Sequence, residues 1–253
     1  MIRTTNTRFN DPIPKTKGVI DLNFSYAFQP IVDSQKQEIS SFEALIRGPK
    51  GESASSILLH PLVKDSVIFD EICRRKILEM AGRLKLRKNL NINLSTHILY
   101  QLDMNITATF KSSLKTGFPI ENVIFEVTET ENLADQRVLL QNLRLLQDFG
   151  FKTAIDDFGM GHSGLNLLVK YQPNFIKLDR NLISNIQNDR VKQIVFSGVQ
   201  QMCEKLSIDI VAEGVEKKDE YMWLKKAGIV LFQGYYFAMP AFESLPPIAV
   251  NVF

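Results

Sequence analysis

The feature that most constrains this chain is a regular alternation of short β-like runs with helical patterns. The runs are FSYAFQPIV, SFEALIRG, NLNINLS, VIFEVTE, KTAIDDFG, NFIKLD, IDIVAEGV and VLFQGYYF. Helical patterns between most of them include DEICRRKILEMAGRL, DQRVLLQNLRLLQDFG and KKDEYMWLKKAG. The cleanest helix carries Val191, Ile194, Val195, Gly198, Val199, Met202, Cys203 and Leu206, a repeated i, i+3, i+4 stripe. Strand and helix in alternation predict an α/β fold, a parallel sheet with helices outside it. Eight strand candidates in 253 residues fit a (β/α)8 TIM-type barrel better than a doubly wound sheet, although periodicity alone leaves closure open.

Composition removes several function classes. The 30 basic and 28 acidic residues leave a net charge of +2 with no basic stripe, so a nucleic-acid polymer is not expected as a partner. No apolar run approaches the roughly 20 residues of a membrane span, so no membrane segment is expected. Residues 1–22, rich in Thr, Asn, Pro and Lys, lack an apolar signal region and read as an arm or linker; residues 23–253 read as one domain. Cys73 and Cys203 form no CxxC and read as buried thiols of a reducing, cytoplasmic compartment. His60, His97 and His162 have no paired-ligand spacing, which argues against a His/Cys zinc site. A metal here would be held by oxygens, hence a hard ion such as Mg²⁺ or Mn²⁺.

Polar residues sit inside or at the ends of these apolar strands: Glu43, Asn93, Glu126, Asp156-Asp157, Lys177, Glu213 and Gln233. From residue 43 to residue 233 they recur in six steps of about 32 residues on average, one βα unit of a barrel of this size. All parallel strand C-termini of such a barrel open on one face, so these side chains converge. Five carboxylates there sum to −5 against the single charge of Lys177. Two like charges about 4 Å apart repel by ~4 kcal/mol at an effective dielectric near 20. Two divalent cations bring the total to zero, the arrangement of a two-metal site for phosphoryl or phosphodiester chemistry.

Two short motifs point elsewhere and are set aside. Gly159, Gly161 and Gly164 spell G-x-G-x-x-G, with Asp179 beyond the next strand, as in a dinucleotide fold. Asp156 and Asp157 immediately before that turn would repel a pyrophosphate, and the unit lies mid-chain. Asp157-Phe158-Gly159 also spells a kinase DFG, with no HRD or VAIK element beside it.

Taken together, the chain resembles the EAL-domain family of cyclic di-GMP phosphodiesterases over residues 24–243. The blocks run FQPIV, EALIRG with Glu43-Ala44-Leu45, NINLS, FEVTET, IDDFG, IKLD, VAEGVE and FQGYYFAMP. The resemblance implies a (β/α)8 barrel with one strand antiparallel to the others. It implies that Glu43, Asn93, Glu126 and Asp156 ligate one metal, with Asp156 bridging to a second held by Asp157 and Glu213. It makes Lys177, with Glu43 and Glu213, the catalytic set; Leu45, Arg47 and Gln233 substrate contacts; Glu129 the anchor of the loop after IDDFG; and Glu216 a supporting acid.

The implied reaction is hydrolysis of cyclic di-GMP to linear 5′-pGpG, dependent on Mg²⁺ or Mn²⁺, inhibited by Ca²⁺, in a homodimer. The alternative is a degenerate EAL domain acting as a cyclic di-GMP receptor or protein-interaction module; against it, every expected ligand position is filled. The usual DDFGTGYSSL reads DDFGMGHSGL here, altered at Met160, His162 and Gly164, which bears on regulation more than on chemistry. The stretch GPKGESASSILL is shorter than the commonest family pattern, and Asn174 replaces the usual acid before IKLD, a change expected to be structural.

Overall fold

The first two strands, β1 (Ser25–Asp33) and β2 (Glu38–Arg47), pair as an antiparallel hairpin. Their link is four residues long, and a parallel crossover needs a dozen or more, so the hand of this pair is settled locally. Asp33 Oδ1 accepts from the backbone N–H of Gln35 at 3.0 Å and of Lys36 at 2.9 Å, and Gln37 takes a left-handed φ of 55° to close the turn. The computed structural model describes residues 22–61, 63, 67–94, 109, 111–128, 136–160, 164–250 and 252–253. Apart from Leu22, the arm expected over residues 1–22 lies outside the described residues.

From β2 onward the strands pair in parallel in chain order: β3 (Asn89–Asn93), β4 (Val123–Thr128), β5 (Lys152–Phe158), β6 (Phe175–Leu178), β7 (Asp209–Ala212) and β8 (Leu231–Gln233). β8 then returns to β1, antiparallel, with Ile31 opposite Gln233. The ring closes as the expected TIM-type barrel, and β1 is the strand that runs against its neighbours. A ninth strand, β9 (Ala241–Phe242), adds to β1 outside the ring; two residues are too short to leave a periodic signal. β4, VIFEVT, is buried at five of six positions, as a parallel strand covered on both faces must be.

Helices among the described residues include α1 (Ser55–Leu58), α2 (Val67–Arg83), α3 (Gln136–Asp148), α4 (Gly164–Lys170), α5 (Arg180–Ile183), α6 (Arg190–Leu206) and α7 (Lys218–Lys226). Between them and the barrel lies the core, with Phe28, Val32, Leu78, Leu90, Ile176, Leu178 and Phe232 fully buried. Each such side chain contributes roughly 1.5–3 kcal/mol of transfer free energy. Helix α6 begins where Asp189 accepts from the N–H groups of Val191 and Lys192. Its apolar stripe is wider than the face the barrel covers. Phe196 and Cys203 are buried, and Phe196 meets Trp223 of α7 edge-on at 5.4 Å, but Val191 and Ile194 are 70% and 64% exposed.

Both cysteines are free; Cys203 is buried, but Cys73 only half-buried, short of the expectation. Burial pushes the Cys73 thiol up to about 12 and the Cys203 thiol to about 11, which keeps both protonated and unreactive. Asn174 has the structural task expected of it: its Oδ1 accepts from Thr153 N at 2.9 Å, tying the start of β6 to β5. Among the described residues no helix is long and apolar enough to cross a membrane.

Candidate metal-binding active site

Strand register decides which polar side chains meet. Glu43 on β2 stands opposite Gln29 on β1 and Asn91 on β3, and Asn93 stands opposite Glu126 on β4. Their neighbours in each strand are apolar and point outward to the helices, so the polar residues are turned into the barrel. Lys177, 1% exposed, lies at the centre. Its Nζ is 2.7 Å from Glu213, 2.8 Å from Glu126, 3.0 Å from Asp156 and 3.3 Å from Glu43.

Adjacent residues of a regular strand point to opposite faces, yet Asp156 and Asp157 face the same site. The reason is a bulge. Ile155 pairs with Ile176 and Phe158 with Leu178, so three steps on β5 match two on β6. Asp157 absorbs the extra residue with a left-handed φ of 52°, a conformation Asp tolerates better than most non-glycine residues. Carboxylate oxygens of Asp156, Asp157 and Glu213 thereby come within 4.8 Å of one another, as do those of Glu43, Glu126 and Asp156.

The acids are held differently. Glu43 Oε1 accepts from Asn93 Nδ2 at 3.1 Å and Oε2 from Gln233 Nε2 at 2.7 Å. Burial pushes the Glu43 carboxyl upward, but Lys177, Gln233 and Asn93 outweigh it and hold the group below the usual carboxylate range. Glu126 Oε1 accepts from Asn91 Nδ2 at 2.7 Å, while its buried Oε2 has no hydrogen-bond partner. Burial, Glu43 and Asp156 together push Glu126 well above the usual range despite Lys177. Burial raises Glu213 likewise, with Asp156, Glu43 and Glu126 adding to it. Asp157 is raised by burial and by Asp156 and Asp179. For Lys177 burial opposes the charge, but Asp156, Glu126, Glu213 and Glu43 prevail and hold it firmly protonated.

One ammonium therefore contacts four carboxylates, with Asp157 a fifth beside Asp156 and Glu213, and Glu126 keeps an orphaned lone-pair oxygen. A buried polar atom without a partner costs on the order of 1–3 kcal/mol. Oxygen donors in this number, with this excess of negative charge, fit hard divalent cations. Glu43, Asp156, Asp157, Lys177 and Glu213 line a cavity of about 340 Å³ together with Arg180, Glu216 and Tyr235.

Of the residues singled out from sequence, Glu43, Asn93, Glu126, Asp156, Asp157, Lys177, Glu213 and Gln233 are brought together. Glu216 lies on the rim, paired with Arg180. Leu45 and Arg47 do not line the cavity; Arg47 Nη1 instead donates to Ile46 O at 2.8 Å. Glu129, Gly161 and His162 lie outside the described residues; Met160 is exposed and Gly164 opens α4. Asp179, the acid of the discarded dinucleotide pattern, caps α5 by accepting from Asn181 N at 2.7 Å. Sequence reasoning missed Gln29 and Asn91. Both had a signal: Gln29 is a polar residue inside an apolar strand, and Asn91 shares the face of Asn93 two residues on.

The EAL-domain family model matches residues 17–240. The blue light- and temperature-regulated antirepressor BluF of Escherichia coli K12 is 32% identical over 231 residues, covering 90% of this chain and 57% of that protein. The probable cyclic di-GMP phosphodiesterase PdeG of the same organism is 32% identical over 223 residues, 84% of this chain and 44% of that one. The chain thus spans about half the length of these curated relatives. A standalone versatile EAL protein from Vibrio cholerae O395, solved in a c-di-GMP-bound form, superposes with a TM-score of 0.88 at 42% identity, over 92% of this chain and 99% of that one. The pH 6 manganese/cyclic di-GMP complex of Klebsiella pneumoniae BlrP1 gives 0.85 at 38% identity, over 91% and 59%.

Proposed function

This chain belongs to the EAL-domain family, and we propose that its barrel-mouth site hydrolyses cyclic di-GMP to linear 5′-pGpG. The observation that carries this reading is the cluster of Glu43, Glu126, Asp156, Asp157 and Glu213 beside the buried Lys177, in a barrel that resembles solved cyclic di-GMP complexes. Glu43, Asn93, Glu126 and Asp156 would hold one Mg²⁺ or Mn²⁺ ion, and Asp156, Asp157 and Glu213 a second. Such ions supply charge neutralisation at the phosphoryl oxygens and an acidified water. Lys177, kept protonated by its four acidic neighbours, orients the attacking water and donates toward a phosphate oxygen. One O–P bond forms from water and one ester P–O bond breaks. The water loses a proton and the departing ribose hydroxyl gains one, leaving a 5′-phosphate. Gln233, fixed between Gln29 and Glu43, presents a buried and unpartnered carbonyl oxygen beside the cavity for a substrate donor.

The test is chromatography of the products of cyclic di-GMP with purified protein after chelation and after readdition of Mg²⁺, Mn²⁺ or Ca²⁺. The first two restore 5′-pGpG formation. Ca²⁺ does not, because its longer bonds and looser coordination do not reproduce the tight octahedral geometry. Full turnover after exhaustive chelation overturns the reading.

Two further parts belong to it. The protein is cytoplasmic, in keeping with two unreactive free thiols. It is also a homodimer, supported by the exposed edge of α6, where Val191, Ile194 and Val195 face solvent. Ile194→Glu shifts sedimentation to the monomer in that case and leaves it unchanged otherwise. A receptor or regulatory module is the second reading, favoured by the likeness to the antirepressor BluF. Cyclic di-GMP bound but not cleaved in the presence of Mn²⁺ would select it.

A further inference from the structure

Glu220 is fully buried, at 0% exposure, in the first turn of α7. Its Oε2 accepts from the backbone N–H of Glu216 at 3.2 Å and of Lys217 at 3.1 Å, and its Oε1 from that of Asn185 at 3.0 Å. The first two bonds are an N-terminal helix cap. The third is not. Asn185 belongs to the loop after α5 and adopts a left-handed φ of 57° that offers its N–H to Glu220. Three backbone donors, helped by the nearby charge of Lys217, hold its own charge against burial. A capping-box Glu needs only the helix-start bonds, so the third bond, to Asn185, is what a cap leaves unexplained.

The two loops joined by Glu220 are those that follow β6 and β7, the strands of Lys177 and Glu213. Arg180 joins them a second time: Nη1 donates to Gly214 O at 2.7 Å and Nη2 to Glu216 Oε2 at 2.8 Å. On the far side Val215 N donates to Gln233 O and Tyr236 N to Val215 O, both at 3.0 Å. Gly234 lets the chains approach there, since a Cβ on it would stand 2.0 Å from Val215 O. Residues 213–217 are therefore gripped from β6, β8 and α7, and Glu213 is the first residue of the gripped segment.

We infer that Glu220 is a positioning residue that sets the Glu213 carboxylate for metal binding by tying the β7 loop to the β6 loop. This rests on the proposed reading of the site as a metal centre. Outer partners of metal ligands are commonly worth 10–100-fold in metal affinity or activity. Glu220→Gln keeps the shape and loses the charge, so it leaves the fold intact even if Glu220→Ala does not.

In the full chain, calorimetry with Mn²⁺ gives a Kd for Glu220→Gln about 10-fold weaker than wild type. Its kcat on cyclic di-GMP falls about as much while KM stays within twofold, and amide exchange quickens at residues 213–217 but not in β3 or β4. A lower melting temperature with unchanged Mn²⁺ Kd and kcat shows a cap and nothing more, and overturns the inference. Wild type that binds Mn²⁺ without cleaving cyclic di-GMP refutes the proposed reaction and leaves the Kd comparison to judge Glu220. Wild type that binds no Mn²⁺ overturns both.

Discussion

Glu126 at the barrel mouth and Glu220 at the start of α7 are both buried, at 1% and 0% exposure, and they are treated oppositely. Glu220 takes three backbone N–H donors from two loops, and these bring it below the usual carboxylate range against the upward push of burial. Glu126 has Lys177 and Asn91 on one oxygen and nothing on the other, and burial with two acidic neighbours drives it well above that range. One anion is satisfied by the chain itself. The other is satisfied only in part, and its open oxygen points to what the site is built to take up. Burial of charge alone therefore does not mark a group that takes up a ligand; unfinished satisfaction does.

The strongest way to break this contrast is to remove the ammonium that holds the mouth together. Lys177→Met leaves Glu43, Glu126, Asp156 and Glu213 facing one another without a cation. Stripping one partner from a buried ionic group typically costs 3–5 kcal/mol. Denaturant unfolding of the metal-free protein at pH 7 checks this, and Mn²⁺ recovers part of the loss by binding the folded state. A variant as stable as wild type without metal would mean that the carboxylates are already neutral.

Next comes the loss of a ligand. Glu43→Ala removes an oxygen donor pair and the acceptor of Asn93 and Gln233, and lowers turnover of cyclic di-GMP by about 10²-fold or more, ~3 kcal/mol of transition-state stabilisation. Steady-state kinetics at saturating Mn²⁺ measure it. Wild-type turnover in this variant would dissociate the cluster from the chemistry.

How much of this contrast could be read from residues alone depends on what periodicity encodes. All eight ring strands were legible because apolar runs of alternating partners repeat with turn signals between them. The clustering of Glu43, Glu126, Asp156 and Glu213 was legible because a barrel sends every parallel strand end to one mouth. The shared face of Asp156 and Asp157 was not, since it depends on a bulge whose existence is set by pairing with β6. Asn91 could have been found from its period of two with Asn93. The outward edge of α6 could not, because a hydrophobic stripe defines a face without naming what covers it. Within KKDEYMWLKKAG nothing sets Glu220 apart from the other charges; only tertiary contact with Asn185 gives it a second loop to hold.

Opposite signs sharpen the comparison further. Glu126→Gln removes a charge that burial, Glu43 and Asp156 all disfavour, so the metal-free protein gains about 1 kcal/mol in denaturant unfolding, the scale of one relieved like-charge contact. The same change weakens Mn²⁺ binding about 10-fold or more, because a carboxylate donor is lost. Glu220→Gln loses stability under the same conditions. Equal signs for the two variants would show that the mouth and the cap store charge in the same way.

The smallest effect concerns pH and Glu220. Its folded pKa lies below the ordinary glutamate value of 4.5, because the N–H groups of Asn185, Glu216 and Lys217 outweigh burial. A depressed folded value means that the unfolded chain binds a proton first as the pH drops. The stabilisation is thus complete above about pH 4.5 and is lost as the pH falls through the folded pKa. Glutamine at this position does not titrate. The stability difference between wild type and Glu220→Gln is therefore about 1–2 kcal/mol at pH 7, the scale of a good helix cap. It holds level down to the ordinary glutamate range and then shrinks with further acidification. Urea melts of both proteins in parallel at each pH remove the contributions of every other acid, since these are common to the pair. A difference that stays constant from neutral pH down into the acid range would show that the three bonds to Glu220 depend on its shape and not on its charge.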